Sequence, residues 1–323
     1  MSYLRAFATA VAAALALGHG AIHAQSFPTK PIRLVAPFPP GSSIDLIARL
    51  IAQPMGDALG QPIVVENRVG AGGNVGVDAV VKSPKDGYTI GIGARGPLAI
   101  NPFLVDGMSY DPVKDVAPIA LFGSSAIVLW VSAESPAKTM QEFVAAARSQ
   151  PGKFNYASDG IGTTNHLGGE ALRSAAKIDV VHVPYKGTAE AITALLQGDV
   201  HIFPGGLPPL VGQYKAGRIR PLAVAMKERI PQLPDVPTVG EVGLAGAEMF
   251  AWFAMFAPAG TPPDVIAKIR DALGVALTKP EVKDKLVSLG ITPQLSTPAE
   301  LAKLVQDEQA KWGPLIRSSK GMR

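Results

Sequence analysis

Residues 31–60 read PIRLVAPFPPGSSIDLIARLIAQPMGDALG and contain the basic unit of the predicted fold. Residues 31–36, which are mostly apolar, are typical of a strand that ends at Pro37. Residues 44–59 place apolar side chains at helical spacing, and the pattern ends at Gly60, a common helix-stop residue. The loop between them is rich in proline, glycine and serine. The stretch therefore predicts a strand, a short loop and a helix.

The same alternation continues along the chain. Further strands are predicted at residues 63–66, 88–92, 126–131, 155–158, 180–183, 200–203, 221–225 and 253–257. Further helices are predicted at residues 75–82, 140–149, 165–176, 189–196, 263–278 and 299–312. Strands that alternate with helices form mainly parallel sheets with covered faces. We therefore predict an α/β fold of two lobes with a mainly parallel sheet in each.

The predicted lobes are discontinuous in sequence. Lobe 1 holds residues 25–125 and 224–323, and lobe 2 is the insertion 126–223. The two crossovers are strand-like, so we expect them to act as hinges.

The first 24 residues have the order of a secretory signal peptide. Arg5 precedes an apolar run, residues 6–17, and small residues lead to a cleavage site after Ala24. The run is shorter than the roughly 20 residues that span a bilayer. We therefore predict that residues 1–24 are removed and that the mature protein is periplasmic.

Composition narrows the classes of partner and chemistry. The formal net charge is +4, and loss of Arg5 with the signal would leave +3, with no cluster of basic residues. This argues against a nucleic-acid partner. The chain has no cysteine, which excludes disulfides, thiolate nucleophiles and cysteine metal sites.

No cofactor or metal site is predicted. Residues 91–96 fit the dinucleotide pattern G-x-G-x-x-G, but prolines follow where a helix would have to begin. His166, His182 and His201 follow the signal, and His182 and His201 show no metal-ligand spacing. No nucleophile-elbow motif occurs either.

The loop after the first predicted strand is a candidate anion site. Ligands of open α/β sheets bind at the carboxyl ends of strands. Gly41 frees the backbone, and Ser42 or Ser43 can cap the next helix, whose unpaired N–H groups attract anions. The alternative is an ordinary capped helix start. The candidate ligand-binding residues here are Pro39, Pro40, Gly41, Ser42 and Ser43.

A second loop, residues 156–166, repeats the order of strand, glycine turn, hydroxyl residues and helix. It would lie in the other lobe. Two helix N-termini that face one cleft would then form a divided carboxylate site, complete only when the lobes close. A lone histidine in such a place is more often structural than ligand-binding. The candidates here are Ser158, Gly160, Gly162, Thr163, Thr164 and His166.

Two more loops follow predicted strands. In residues 184–188, Tyr185 could stack on a ligand, whereas Lys186 could simply be a solvated charge. In residues 203–209, Gly205 could border the cleft, with a plain turn as the alternative.

A wider set of motifs carries a family resemblance. The matching stretches are residues 27–33, 37–43, 65–68, 70–74, 86–89, 101–102, 110–112, 158–167, 183–187, 233–238, 257–262 and 311–312. Together they resemble the periplasmic receptors of tripartite tricarboxylate transporters, the Bug-type solute-binding proteins. The resemblance covers nearly all of the mature chain, in order.

The resemblance implies a two-lobe periplasmic binding protein, a Venus flytrap, that catalyses nothing and needs no cofactor. It implies a small carboxylate ligand held by the loops at residues 39–43 and 160–166. It also implies delivery to the membrane subunits of a tripartite tricarboxylate transporter. We expect the receptor to be a monomer.

Three departures from the family pattern bear on the ligand. Ser42 stands where relatives often have a second glycine, and no acidic or amide residue follows Phe203. Arg95 stands where many relatives have a small or amide residue. Without an acidic partner for an ammonium group, and with Arg95 near the mouth, we predict a dicarboxylate, for example the aromatic terephthalate. Alternatively, Arg95 is exposed and irrelevant.

Other functions remain open from sequence. The ligand could be an amino acid or a nicotinate-type monocarboxylate. The same fold could feed a sensor kinase. An enzyme of the hydrolase or lyase class would use Ser158 or Ser43 with His166 as its base.

Overall fold

The computed structural model describes residues 27–318, so the predicted signal peptide lies outside the described residues. The strands are β1 (Ile32–Ala36), β2 (Ile63–Asn67), β3 (Thr89–Ala94), β4 (Val116–Ser132), β5 (Phe154–Ser158), β6 (Val180–Pro184), β7 (Phe203–Gly206), β8 (Ile219–Val224), β9 (Phe250–Pro258) and β10 (Ile291–Pro293). The helices are α1 (Ser43–Leu59), α2 (Asn74–Val81), α3 (Met140–Ser149), α4 (Thr164–Ala176), α5 (Thr188–Gln197), α6 (Leu207–Lys215), α7 (Pro263–Thr278), α8 (Pro280–Ser288) and α9 (Pro298–Ser318).

The first sheet has the strand order β10-β4-β9-β3-β1-β2. β2, β1 and β3 pair in parallel, as expected of strands joined by helices. β9, β4 and β10 add to the sheet in antiparallel pairings. The apolar face of α1, including Ile47, Ile51 and Met55, is fully buried in the core beside this sheet. Burial of that face explains why the 44–59 periodicity becomes a helix.

A second group of strands forms at the far end of β4. β4 is 17 residues long and pairs with β9 as far as Ala126, then with β7 from Ile127. β8 pairs along the same end of β4. β5 and β6 form a parallel pair, which a bridge between Tyr156 and Ile202 connects to the chain leading into β7. One strand therefore runs through both groups.

The exchange of partners at Ala126 and Ile127 coincides with the predicted start of lobe 2. The return path runs through β8, which ends at Val224, and β9. The division at 125/126 and 223/224 stays a prediction, supported by this topology.

The structure corrects several predicted elements. Helices α6 and α8 and strand β10 were not predicted, and β4 begins ten residues before the expected position 126. The prolines after Leu207 indicated a turn, but proline is well tolerated in the first turn of a helix. The start of β4 becomes a strand because β9 pairs with it, which a local pattern does not encode.

Among residues 27–318, no helix combines the length and apolar character that a membrane crossing requires.

Candidate functional site

A cavity of about 60 Å³ lies between the two groups of strands. Its wall combines the starts of helices with the strands that cross between the groups. Hydroxyl side chains predominate among its polar groups. The lining residues are Phe38, Ser42, Ser43, Ile44, Ala94, Gly96, Ile127, Asp159, Thr163, Thr164, Asn165, Thr188, Gly206, Pro209, Ala251 and Phe253.

The cavity lies at the N-termini of four helices. Ser42 caps α1 by accepting a hydrogen bond from the Asp45 backbone N–H at 3.3 Å. Thr163 caps α4 in the same way, with the His166 N–H at 3.3 Å. Thr188 is the first residue of α5, and Gly206 precedes α6. Helix starts carry unpaired N–H groups and a partial positive charge, so this arrangement attracts an anion.

Ser43 and Thr164 supply further donors. They are the first residues of α1 and α4, next to the two capping residues. Within residues 27–318, neither side-chain hydroxyl has a hydrogen-bond partner, so both remain available to a ligand. Two helix starts thus offer hydroxyl and backbone donors to the same space.

The two sides of the cavity are in direct contact. A Cβ built on Gly206 would lie 3.6 Å from the Ser43 hydroxyl oxygen. A Cβ on Gly96 would lie 2.5 Å from the Gly162 carbonyl oxygen. Glycine at position 96 lets the two backbones approach more closely than any other residue would. Ser43 and Thr163 therefore share one cavity, as the divided-site hypothesis requires.

Asp159 is the only ionisable residue among the described residues that line the cavity. Its Oδ2 accepts a hydrogen bond from the Thr188 hydroxyl at 3.1 Å. Its Oδ1 is buried and has no hydrogen-bond partner within residues 27–318. Burial raises the pKa of Asp159, although Thr163, Thr188 and Asn165 oppose the rise. A cavity suited to anions thus contains a carboxyl group that favours its neutral form.

His166 lies behind the cavity. Its ring stacks on His182 at 4.2 Å, and the His182 ring stacks on Tyr156 at 4.9 Å. Its Nδ1 accepts a hydrogen bond from the Gly162 N–H at 3.2 Å, which holds the second loop in place. Burial, together with Arg173, lowers the pKa of His166 to about 4. His166 therefore supports the loop as a neutral ring.

We predict that mild acid destabilises the protein through His166. The folded pKa of about 4 lies below the usual value of 6.5, so the unfolded chain binds the proton more readily. Stability should fall as the pH drops from 6.5 towards 4, by up to about 3 kcal/mol from this residue. Urea unfolding of the wild type and of His166→Gln over this range tests the prediction. Equal losses in the two proteins would contradict it.

Arg95 does not lie at the mouth of the cavity, contrary to the sequence-based expectation. It is only 2% exposed, and its Nη2 donates a hydrogen bond to Glu308 Oε1 at 3.0 Å. Its Nε and Glu308 Oε2 are also 3.0 Å apart, and the guanidinium lies over the Phe250 ring. The guanidinium charge is therefore already compensated. The expected alternative, an exposed Arg95, is also wrong.

The remaining candidate residues lie around the cavity and do not line it. Pro39 is close to Gly187 across the rim, and Pro40 and Gly41 lie exposed on the turn. Gly160 and Tyr185 line a separate outer groove of about 770 Å³, and Asp159 lines both this groove and the cavity.

Gly205 lies inside β7 and does not line the cavity. Its carbonyl accepts a hydrogen bond from Trp130 Nε1 at 3.1 Å. The neighbouring Gly206 reaches the cavity instead. The predicted loop begins as strand β7, so the residue that faces the cavity is Gly206 and not Gly205.

The hydrolase hypothesis with Ser158 as nucleophile requires Ser158 to lie beside His166, and the structure does not place it there. The serine Oγ lies 2.6 Å from His182 Nε2, not beside His166, and the residue is 0% exposed. A nucleophile needs access to a substrate, which this serine lacks. Among residues 27–318, no group of three or more histidine or acidic residues could hold a metal ion.

Several lining residues were not among the predicted site residues. Asp159, Asn165 and Thr188 belong to loops that sequence analysis singled out, so their position after strands was the available signal. Ile127, Ala251 and Phe253 come from the crossing strands, and no local pattern marks them as cavity walls.

Comparison with protein families gives a match over most of the chain. The model of the tripartite tricarboxylate transporter family receptor matches residues 47–320. A protein of Pseudomonas sp. (strain P51), described as a UPF0065 protein in the tcbD-tcbE intergenic region, is 38% identical over 307 residues. That alignment covers 94% of this chain and 91% of the relative.

Solved structures agree with this match. MatC from Rhodopseudomonas palustris, solved with bound malate, is 34% identical with a TM-score of 0.85, covering 90% of this chain and 100% of MatC. Another R. palustris protein, Rpa4515 with adipate, is 33% identical with a TM-score of 0.87. The alignment covers 90% of this chain and 97% of Rpa4515. Both share the two-lobe α/β fold predicted from the sequence.

Proposed function

Because the chain belongs to the tripartite tricarboxylate transporter receptor family, a family of solute-binding receptors and not enzymes, we propose that it captures a small carboxylate between its lobes. Receptors of this family work with the membrane subunits of tripartite transporters, and we propose the same partner here. The receptor would act as a monomer in the periplasm, after removal of residues 1–24.

One observation carries the proposal: four helix N-termini, three of them with hydroxyl residues, converge on one cavity. Such a site compensates a carboxylate without any basic side chain. Hydrogen bonds to a charged group are worth about 1.5 to 3 kcal/mol each. Several of them together give a receptor useful affinity.

The mechanism follows from the division of the site. In an open form, α1 and α4 would each present half of the donors. A carboxylate that binds both halves has greater affinity for the closed form and shifts the population towards it. The ligand is thereby enclosed.

The structure weakens the argument for an aromatic dicarboxylate. Arg95, the proposed partner of a second carboxylate, is paired with Glu308. Terephthalate therefore stays a hypothesis, and the structure supports it less than the sequence alone does. The argument against amino acids also weakens, because Asp159 is an acidic group in the cavity.

A binding screen tests the proposed function. Mature protein is titrated by calorimetry, and its melting temperature is measured, with malate, adipate, terephthalate, glutamate and nicotinate. At 100 times Kd, a ligand stabilises the folded form by about 2.7 kcal/mol, which raises the melting temperature by several degrees. We expect an aliphatic dicarboxylate to give the largest shift, because the related MatC and Rpa4515 were solved with malate and adipate. If esters are turned over while no carboxylate binds, the receptor proposal is wrong.

Ser43→Ala should weaken binding of the best ligand about tenfold, since one hydroxyl donor to a carboxylate, worth about 1.5 kcal/mol, is lost. Calorimetric Kd values for wild type and variant give the measurement. Ser149→Ala, on the exposed end of α3, serves as the matched control and should leave Kd unchanged. An unchanged Kd in Ser43→Ala would remove α1 from the binding site.

A further inference from the structure

The proposed function leaves one residue of the cavity unexplained. Asp159 places a carboxyl group among four positive helix ends, in a space suited to the carboxylate of a ligand. Two ionised carboxylates in one small cavity repel each other, so such a pair binds one proton more readily than either group alone. The arrangement is compatible with an anionic ligand only if Asp159 is neutral or if the ligand supplies its own cation.

The geometry of Asp159 distinguishes its two oxygens. Oδ2 accepts a hydrogen bond from Thr188 at 3.1 Å, and Thr188 begins α5. Oδ1 is buried without a partner within residues 27–318, and Asp159 is one of the residues that line the cavity. A buried polar atom without a partner is costly, so Oδ1 is the place where a ligand atom or a proton would be most strongly favoured.

We propose that Asp159 is the specificity-determining residue of this site: its protonated carboxyl group donates a hydrogen bond from Oδ1 to the carboxylate of the ligand. The inference rests on the proposed function, since it requires a carboxylate in the cavity. A proton enters from solvent together with the ligand whenever the pH lies above the pKa of Asp159 in the free receptor. An O–H···O⁻ hydrogen bond of this kind is short and strong.

The neighbouring groups leave Asp159 as the group that titrates. The elements around it contribute these charged or titratable residues: Asp45 of α1, Asp106, His166 of α4, Tyr185, Lys186 and Glu190 of α5. Asp45 is paired with Arg49 at 2.9 Å, and the pKa of His166 is lowered to about 4. Asp106, Lys186 and Glu190 are exposed. Burial, in contrast, raises the pKa of Asp159.

The proposal predicts which ligands the cavity accepts. A neutral donor at Oδ1 favours a carboxylate without an adjacent ammonium group. An ionised Asp159 would instead favour amino acids, because it would pair with their ammonium. Ligand choice and proton uptake therefore depend on the same side chain.

The test measures proton uptake and Kd together. Malate and adipate are titrated into wild type, Asp159→Asn and the control Asp106→Asn between about pH 6 and pH 9, where the ligand carboxyl groups stay ionised. Calorimetry in buffers of different ionisation enthalpy counts the protons taken up. Urea unfolding shows whether each variant is folded, and Asp159→Ser replaces Asp159→Asn if it is not.

We expect wild type and Asp106→Asn to take up about one proton and to bind up to tenfold more weakly per unit rise in pH above the pKa of Asp159. Asp159→Asn, which keeps a neutral donor, should bind with a Kd that does not change with pH, and Asp159→Ser should likewise lose the pH dependence. A wild-type Kd that stays constant over the whole range, without proton uptake, would overturn the proposal while leaving the receptor function intact. Selective loss of glutamate binding in Asp159→Asn, measured by the same calorimetry, would also overturn it. If neither probe nor any other carboxylate binds wild type, the proposed function itself fails, and this inference with it.

Discussion

Gly96→Ala is expected to weaken ligand binding about a hundredfold without unfolding the protein. A Cβ at this position would lie 2.5 Å from the Gly162 carbonyl oxygen, far inside van der Waals contact. Gly162 belongs to the loop that leads into α4, on the opposite side of the cavity. The lobes would have to stop short of full closure by roughly an ångström. Two donors of α4 would then be out of hydrogen-bonding reach, a loss of about 3 kcal/mol.

The effect should be confined to closure because Gly96 has no left-handed backbone conformation that alanine would strain. The matched control is Gly212→Ala, at an exposed helical position in α6 with nothing within 4 Å of the added carbon. It should raise stability by about 0.5 to 1 kcal/mol and leave Kd unchanged. Kd is measured by calorimetry, and small-angle scattering with ligand present compares the size of the closed forms. A Gly96→Ala variant that binds and closes like wild type would show that this contact does not limit closure.

Glu308→Gln is expected to lower the free energy of unfolding by about 3 to 5 kcal/mol. The substitution leaves the guanidinium of Arg95 buried without a countercharge, and breaking a buried ion pair from one side is strongly destabilising. Urea unfolding and the melting temperature give the measurement.

A double variant separates this charge effect from a loss of packing. Arg95→Met with Glu308→Leu removes both charges and should recover most of the lost stability, since apolar replacement of a buried pair is often neutral or better. The double variant should also keep the wild-type Kd, because Arg95 does not line the cavity. A weakened Kd would return Arg95 to the ligand site, and a mild effect of Glu308→Gln would mean that water reaches the pair.

Local sequence determined the elements and the loops that follow them. The 3.6-residue periodicity of 44–59 and the glycine at position 60 define α1 almost to the residue. Ser42 and Thr163 precede helices in positions where a hydroxyl caps the backbone, and both do so. These features depend on neighbours within four residues, so the sequence contains the whole signal. The family motifs added the receptor class and the transporter partner to this prediction.

Tertiary structure alone decided which charged residues face the ligand space. Arg95 and Glu308 are 213 positions apart, and only folding brings them together and removes Arg95 from the cavity. Asp159 enters the cavity because α5 begins beside it at Thr188. The exchange of partners along β4 and the contact of Gly96 with Gly162 are long-range in the same way. Side-chain pairing and burial depend on residues distant in sequence, and no local pattern specifies them.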